Sequence, residues 1–276
     1  MFATAIIVFR EVLEAALIIS IVMAASRGAR HRGAWVWGGV VAGLLLSCLV
    51  ALFAGNLAEA LEGAGQELFN AAILLVAVVM LGWHNIWMQQ HGREIAQEMS
   101  QVGREVVSGS RPLHALALVV GLAVLREGSE LVLFLFGLAS AEDGGASAML
   151  FGGGLGLLLG ASVGFILYFG LARIPMHYFF RVTGWMILFL AAGLASQAAA
   201  FLVQADWLPP VGRTVWDTSA ILPEDGLLGQ LLHALVGYVA QPDGIQLIFY
   251  AFTFLVIGGL MRGLGQASRV TPPPSR

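Results

Sequence analysis

The sequence contains no lysine, a single cysteine and very little charge. Cys48 alone excludes an intrachain disulfide and any metal site built from several cysteines. Charged residues make up 11% of the 276, hydrophobic ones 58%, and the mean hydropathy is +0.84. A chain this poor in charge reads as a polytopic membrane protein held in a lipid bilayer, not as a soluble globule. Every one of the 14 basic residues is Arg, a composition bias with no mechanistic weight, and no basic tract invites a nucleic-acid partner. The chain has no H-E-x-x-H motif and no nucleophile paired with a base, so an enzyme finds no support. The apolar N-terminus has no basic n-region and is interrupted by Arg10, Glu11 and Glu14. It is expected to stay as the first span instead of being removed as a signal peptide.

The charges that are present sit in unexpected places. Arg10-Glu11-Val12-Leu13-Glu14 and Arg126-Glu127-Gly128-Ser129-Glu130 both read R-E-x-x-E, and both lie inside long apolar segments. An ionised residue near the bilayer centre costs about 2.5–3.5 kcal/mol on insertion scales, so these groups need a reason to be there. On a helix, i,i+3 and i,i+4 spacing gathers each motif's two carboxylates and one guanidinium on one face. An ion pair needs one acid per base, whereas each motif has two acids. The surplus acids call for a cation or a proton, with Arg10 and Arg126 supporting the carboxylates electrostatically.

Seven segments reach spanning length: about 2–25, 34–55, 67–88, 113–139, 147–171, 179–204 and 246–262. The links after spans one, three and five, with the C-terminal tail, hold 11 of the 14 Arg (27, 30, 32, 93, 104, 111, 173, 181, 262, 269 and 276) against three Glu (94, 98 and 105). The other side holds Arg213 against ten acids: Glu59, Glu62, Glu67, Glu142, Asp143, Asp206, Asp217, Glu224, Asp225 and Asp243. The positive-inside rule then puts the N-terminus outside and the C-terminus in the cytoplasm.

With that orientation the chain repeats itself upside down. Spans one and four each carry the charged motif. Spans two and five each carry small residues at i,i+4 spacing: Gly39, Gly43, Ser47, Ala51 and Gly55, then Ala148, Gly152, Gly156, Gly160 and Gly164. Such ladders let helices approach closely in lipid. The sequence therefore predicts an all-α membrane protein forming one permease domain, 1–276. It comprises an inverted 3+3 repeat (about 2–88 and 113–204), an external loop 205–245 and a seventh helix, 246–262. Transporters of that plan bind their cargo between the repeats. The linker 89–112 is expected as a solvated cytoplasmic helix. Residues 226–236 read as an amphipathic helix too short to span, and the Pro-rich tail as disordered.

Four carboxylates form a hard oxygen site suited to a multivalent cation. Their arrangement resembles the paired R-E-G-x-E motifs of the oxidase-dependent iron transporter family, which includes the fungal high-affinity iron permeases and bacterial EfeU-type permeases. Further matches are Ala15-Ala16-Leu17-Ile18, Gln66-Glu67-Leu68-Phe69, Ala191-Ala192-Gly193-Leu194, Trp216-Asp217-Thr218-Ser219 and Gly237-Tyr238. Val12 departs from the Gly often found there, and Ala198, Ala199 and Ala200 stand where relatives commonly carry His or Glu.

The resemblance implies an iron permease of a bacterial cytoplasmic membrane, with iron as transported ion and no organic cofactor. Glu11, Glu14, Glu127 and Glu130 are its candidate iron ligands and Glu67 a relay ligand. It also implies Fe3+ delivered by an oxidase or a periplasmic partner protein. From the residues alone, a permease for lead, manganese or Fe2+ stays open, as does an iron-binding sensor or assembly subunit. His84 and Asn85 are read as helix-packing or interfacial residues ahead of an exit site.

Overall fold

The hydropathy pattern resolves into helices in the computed structural model, which describes residues 1–61, 66–141, 146–169, 176–224 and 226–267. They are α1 (Phe2–Ala25), α2 (Arg32–Leu61), α3 (Gln66–Val107), α4 (His114–Ala141), α5 (Ala146–Tyr168), α6 (Met176–Gln204), α7 (Leu227–Val236) and α8 (Gly244–Ala267). Among the described residues there is no strand. Five helices are long and apolar enough to cross a membrane, through Arg32–Asn56, Gln66–Gly92, Ala146–Tyr168, Val182–Gln204 and Gly244–Gly263. The sequence reading counted seven. The two left over, α1 and α4, have the length at 24 and 28 residues, and each carries the three charges of its motif. Seven expected segments thus all appear as helices, five of them apolar enough to qualify on composition.

Packing exchanges the two halves of the chain. α1 lies along α5 and α2 along α4, while α3 packs on α6 and α6 on α8. The small-residue ladders make the first two contacts. Gly152, Gly156, Gly160 and Gly164 are the buried residues of α5. A Cβ at Gly156 would come 2.5 Å from Ala5 O, and one at Gly160 would come 2.9 Å from Phe9 O and from Val12 Cγ1. On α2, Gly39 faces Ala117 of α4, and a Cβ at Gly43 would lie 2.7 Å from Gly121 O. Without Cβ atoms the backbones come this close, which substitutes for the hydrophobic drive that lipid removes.

The same contacts explain Val12. In the second motif Gly128 sits against Ser47 of α2; in the first, Val12 sits against Gly160 of α5. The motif and its neighbour trade sizes, so a larger residue at 12 is matched by a smaller one at 160.

One expectation needs correcting. Residues 89–112 are no separate solvated helix: α3 runs unbroken to Val107. Val102 and Val106 are buried in an apolar cluster with Val22, Val36, Val40, Leu116, Val120 and Val124. The short helix expected at 226–236 is present as α7, and the segment around it is ordered. Thr218 bonds Tyr238, whose hydroxyl donates to Leu222 O at 3.0 Å, and Val215 N donates to Pro242 O at 2.9 Å. Gly237, left-handed at φ 70°, ends α7 and lies against Gly193 of α6. The tail, together with Glu62, Glu142, Asp143, Arg173, Asp225, Arg269 and Arg276, lies outside the described residues.

Candidate metal centre

Helical spacing brings each motif's charges to one face, and packing then turns both faces inward. Arg10, Glu11 and Glu14 are all buried on α1, as is Glu127 on α4. Arg10 serves both acids of its own motif: Nη1 donates to Glu11 Oε1 at 2.7 Å, and Nη2 lies 2.8 Å from Glu14 Oε1. Arg126 behaves differently. Its Nε donates to Glu130 Oε1 at 3.1 Å, and its guanidinium lies 4.3 Å from the centre of the Trp87 ring. Its side chain is 38% exposed against 4% for Arg10. Glu127 has no ion-pair partner among the described residues, so the two motifs, alike in sequence, differ in how their acids are compensated.

His84 of α3 stands between them. Its Nε2 is 3.3 Å from Glu14 Oε2, and its Nδ1 lies against Glu130 Oε2. Glu11, His84, Glu127 and Glu130 each offer one donor atom, and the four atoms lie within 4.8 Å of one another. That separation fits donors arranged around a single ion at bond lengths of about 2.0–2.4 Å. While His84 Nδ1 and Glu130 Oε2 face each other, Glu11 Oε2 and Glu127 Oε2 are buried without a hydrogen-bond partner. Leaving buried carboxylate oxygens unsatisfied is costly. Three carboxylates and an imidazole gathered at one point is the arrangement a cation would complete. With all acids ionised, four Glu against two Arg leave two negative charges, matching a divalent cation.

Among the residues expected from sequence, Glu11, Glu127 and Glu130 meet in this cluster. Glu14 reaches it only through His84. Glu67 does not: it is exposed in the first turn of α3, about 25 Å along the helix from His84 at 1.5 Å per residue. Asn85 holds to its packing role, donating to Gly184 O at 2.9 Å and to Met261 Sδ at 3.5 Å. His84 does not. The signal for it was in the sequence, since it is the only ionisable residue between positions 68 and 90.

The model of the iron permease FTR1 family matches residues 1–264. A ferrous iron permease EfeU of Escherichia coli O157:H7 is 34% identical over 247 residues, covering 88% of each chain. One from Yersinia pestis is 33% identical over 260 residues, covering 93% of this chain and 91% of its own. No solved structure matches.

Proposed function

This chain belongs to the iron permease FTR1 family, and from that premise we infer that the cluster between α1, α3 and α4 is where it takes the iron it carries. It is a multi-pass bacterial membrane protein and iron is its transported substrate. The observation carrying the site is the convergence of the two R-E-x-x-E motifs on one point, with an unsatisfied buried oxygen from each of Glu11 and Glu127. The charge surplus of two favours Fe2+ over the Fe3+ implied by the oxidase-coupled members, in keeping with the ferrous iron permeases to which the chain is similar. Arg10 and Arg126 keep the acids charged while the site is empty. Glu67, exposed at the start of α3, serves as a relay ligand on the way in.

In this reading α1–α6 and α8 make seven spans, N-terminus outside and C-terminus in the cytoplasm. Residues 2–88 and 113–204 form inverted repeats within one permease domain, 1–276. The exchanged pairs α1–α5 and α2–α4 support the repeat, because a two-fold axis in the membrane plane interchanges them. The folded segment 205–245 faces outward, where an iron-delivery or oxidase partner would dock.

Uptake of radioactive iron by the purified protein in liposomes tests the function, with ascorbate-held Fe2+ compared against Fe3+-citrate. Glu11→Gln, Glu127→Gln and Glu130→Gln should each nearly abolish uptake while the protein stays in the membrane. Iron bound without filling the lumen would instead identify a sensor. An impermeant reagent should label a tag at 218–224 from outside, while a C-terminal reporter stays protected.

A further inference from the structure

The side chain that joins the two motifs is an imidazole, and its two nitrogens face different surroundings. Nε2 meets Glu14 Oε2 at 3.3 Å, and that carboxylate's other oxygen is held by Arg10 Nη2 at 2.8 Å. Nδ1 points the other way, into the cluster, where it meets Glu130 Oε2. Glu11 Oε2 and Glu127 Oε2, buried and without a hydrogen-bond partner, belong to the two other acids of the cluster. A histidine that binds a metal through one ring nitrogen almost always gives the other N–H to a carboxylate, which fixes the tautomer and aims the ring. Here that second carboxylate is in place, fixed in turn by a buried guanidinium.

Resting on the reading that iron binds between the motifs, we propose that His84 is itself an iron ligand through Nδ1, alongside Glu11, Glu127 and Glu130. Glu14 is then a positioning residue that holds the ring and does not touch the ion. The Arg10–Glu14–His84 chain makes the first motif asymmetric in function: Glu11 binds the ion, and Glu14 orients the ligand contributed by α3. The donor set becomes three carboxylates and one imidazole, a mixture suited to Fe2+ and Mn2+ more than to Mg2+ or Ca2+. All three contributing helices must be in register for the set to form, so α3 becomes part of the site and not only its scaffold.

The nitrogen can be seen directly. Purified protein in lipid nanodiscs is loaded with Mn2+, a paramagnetic stand-in for Fe2+, and examined by electron spin-echo envelope modulation with and without 15N-histidine. The expected result is one directly bound histidine nitrogen in the unaltered protein. It should be lost in His84→Gln and kept in His91→Gln. Glu14→Gln should keep the nitrogen signal and weaken Mn2+ binding about 10–100-fold, whereas Glu127→Gln should reduce binding further.

Bound Mn2+ with oxygen ligands only overturns the proposal, as does a nitrogen signal indifferent to His84→Gln. These readings need no assumption about the variants' folding, since the unaltered protein already shows or lacks the nitrogen. Equal losses in Glu14→Gln and Glu127→Gln would make Glu14 a ligand and remove its positioning role. Mn2+ that fails to bind, or binds equally well in Glu11→Gln and Glu127→Gln, overturns the shared site itself and the ligand assignment with it.

Discussion

Two glycines three residues apart on α5 give a sharp test of what holds the charged helix α1 in place. A Cβ added at Gly153 meets nothing within 4 Å; one added at Gly156 would lie 2.5 Å from Ala5 O and 2.9 Å from both Phe9 N and Val8 Cβ. Replacing a helix-interior glycine by alanine is worth about 0.5–1 kcal/mol through backbone entropy. Gly153→Ala should collect that gain. At Gly156 the clashing atoms are mostly α1 backbone, which cannot swing aside as a flexible side chain would, so the two helices must separate. Overpacking of this kind costs about 1–3 kcal/mol, leaving Gly156→Ala destabilised by up to roughly 2 kcal/mol after the entropy gain. The displacement falls on the segment that carries Arg10, Glu11 and Glu14, so uptake should drop even where the protein remains folded. Denaturant unfolding of the two purified variants gives the energies, and iron uptake in liposomes gives the functional loss. Equal stability and equal uptake for the two variants would refute the claim that backbone contact seats α1.

Other outcomes follow from the same geometry. Glu14 and Glu130 both touch His84, so Glu14→Gln and Glu130→Gln should be non-additive, with coupling in the range of about 0.5–3 kcal/mol expected for contacting residues; simple addition of their effects on log uptake would separate the motifs. Gly128→Ala should collide with Ser47 and lose uptake, and Ser47→Gly should restore it. A failed rescue would place the fault elsewhere than at that contact. In the loop, the Ser219 hydroxyl and then its backbone N–H hold the Asp217 carboxyl below its usual range, donating at 2.6 and 2.9 Å. That support is present above the ordinary carboxylate range and lost as pH falls through the lowered value. Carbon-13 titration should therefore show the Asp217 midpoint rising in Ser219→Ala, and an unmoved midpoint would discount the bond.

Much of this was legible because membrane helices are written in long runs. The boundaries of α1 follow from its apolar stretch, and the ladder from Gly152 to Gly164 announced a close contact. The partners of that ladder were not legible: spacing says that α5 approaches something closely, but nothing local says it is α1. The charged motifs could be read as facing each other, yet their unequal exposure depends on Trp87, a residue of α3, lying under Arg126. The contacts of His84 were not legible for a related reason. Ending the third span at 88 placed it near the end of a helix that in fact continues to Val107. A lone histidine also carries no spacing pattern, so only the packing of α3 against both motif helices reveals what it meets.

The exchange of partners between the halves also sets a schedule for biogenesis. α1 ends at Ala25, and α5, the helix it lies along, begins only at Ala146. At about 5–20 residues per second on the ribosome, roughly 6–24 s separate the two. On the seven-span reading, α1 enters the bilayer before α3 and α4 have brought His84, Glu127 and Glu130, the neighbours of its acids in the finished protein. Arg10 is the one compensating group already present, since its bonds to Glu11 and Glu14 lie within the same two turns. Arg10 thus acts as a travelling counter-ion for the newborn span before it has any part in transport. Arg10→Ala should show up first as poor insertion of α1 in a translation assay truncated ahead of α3. If α1 inserts equally well without Arg10, the guanidinium matters only in the finished protein.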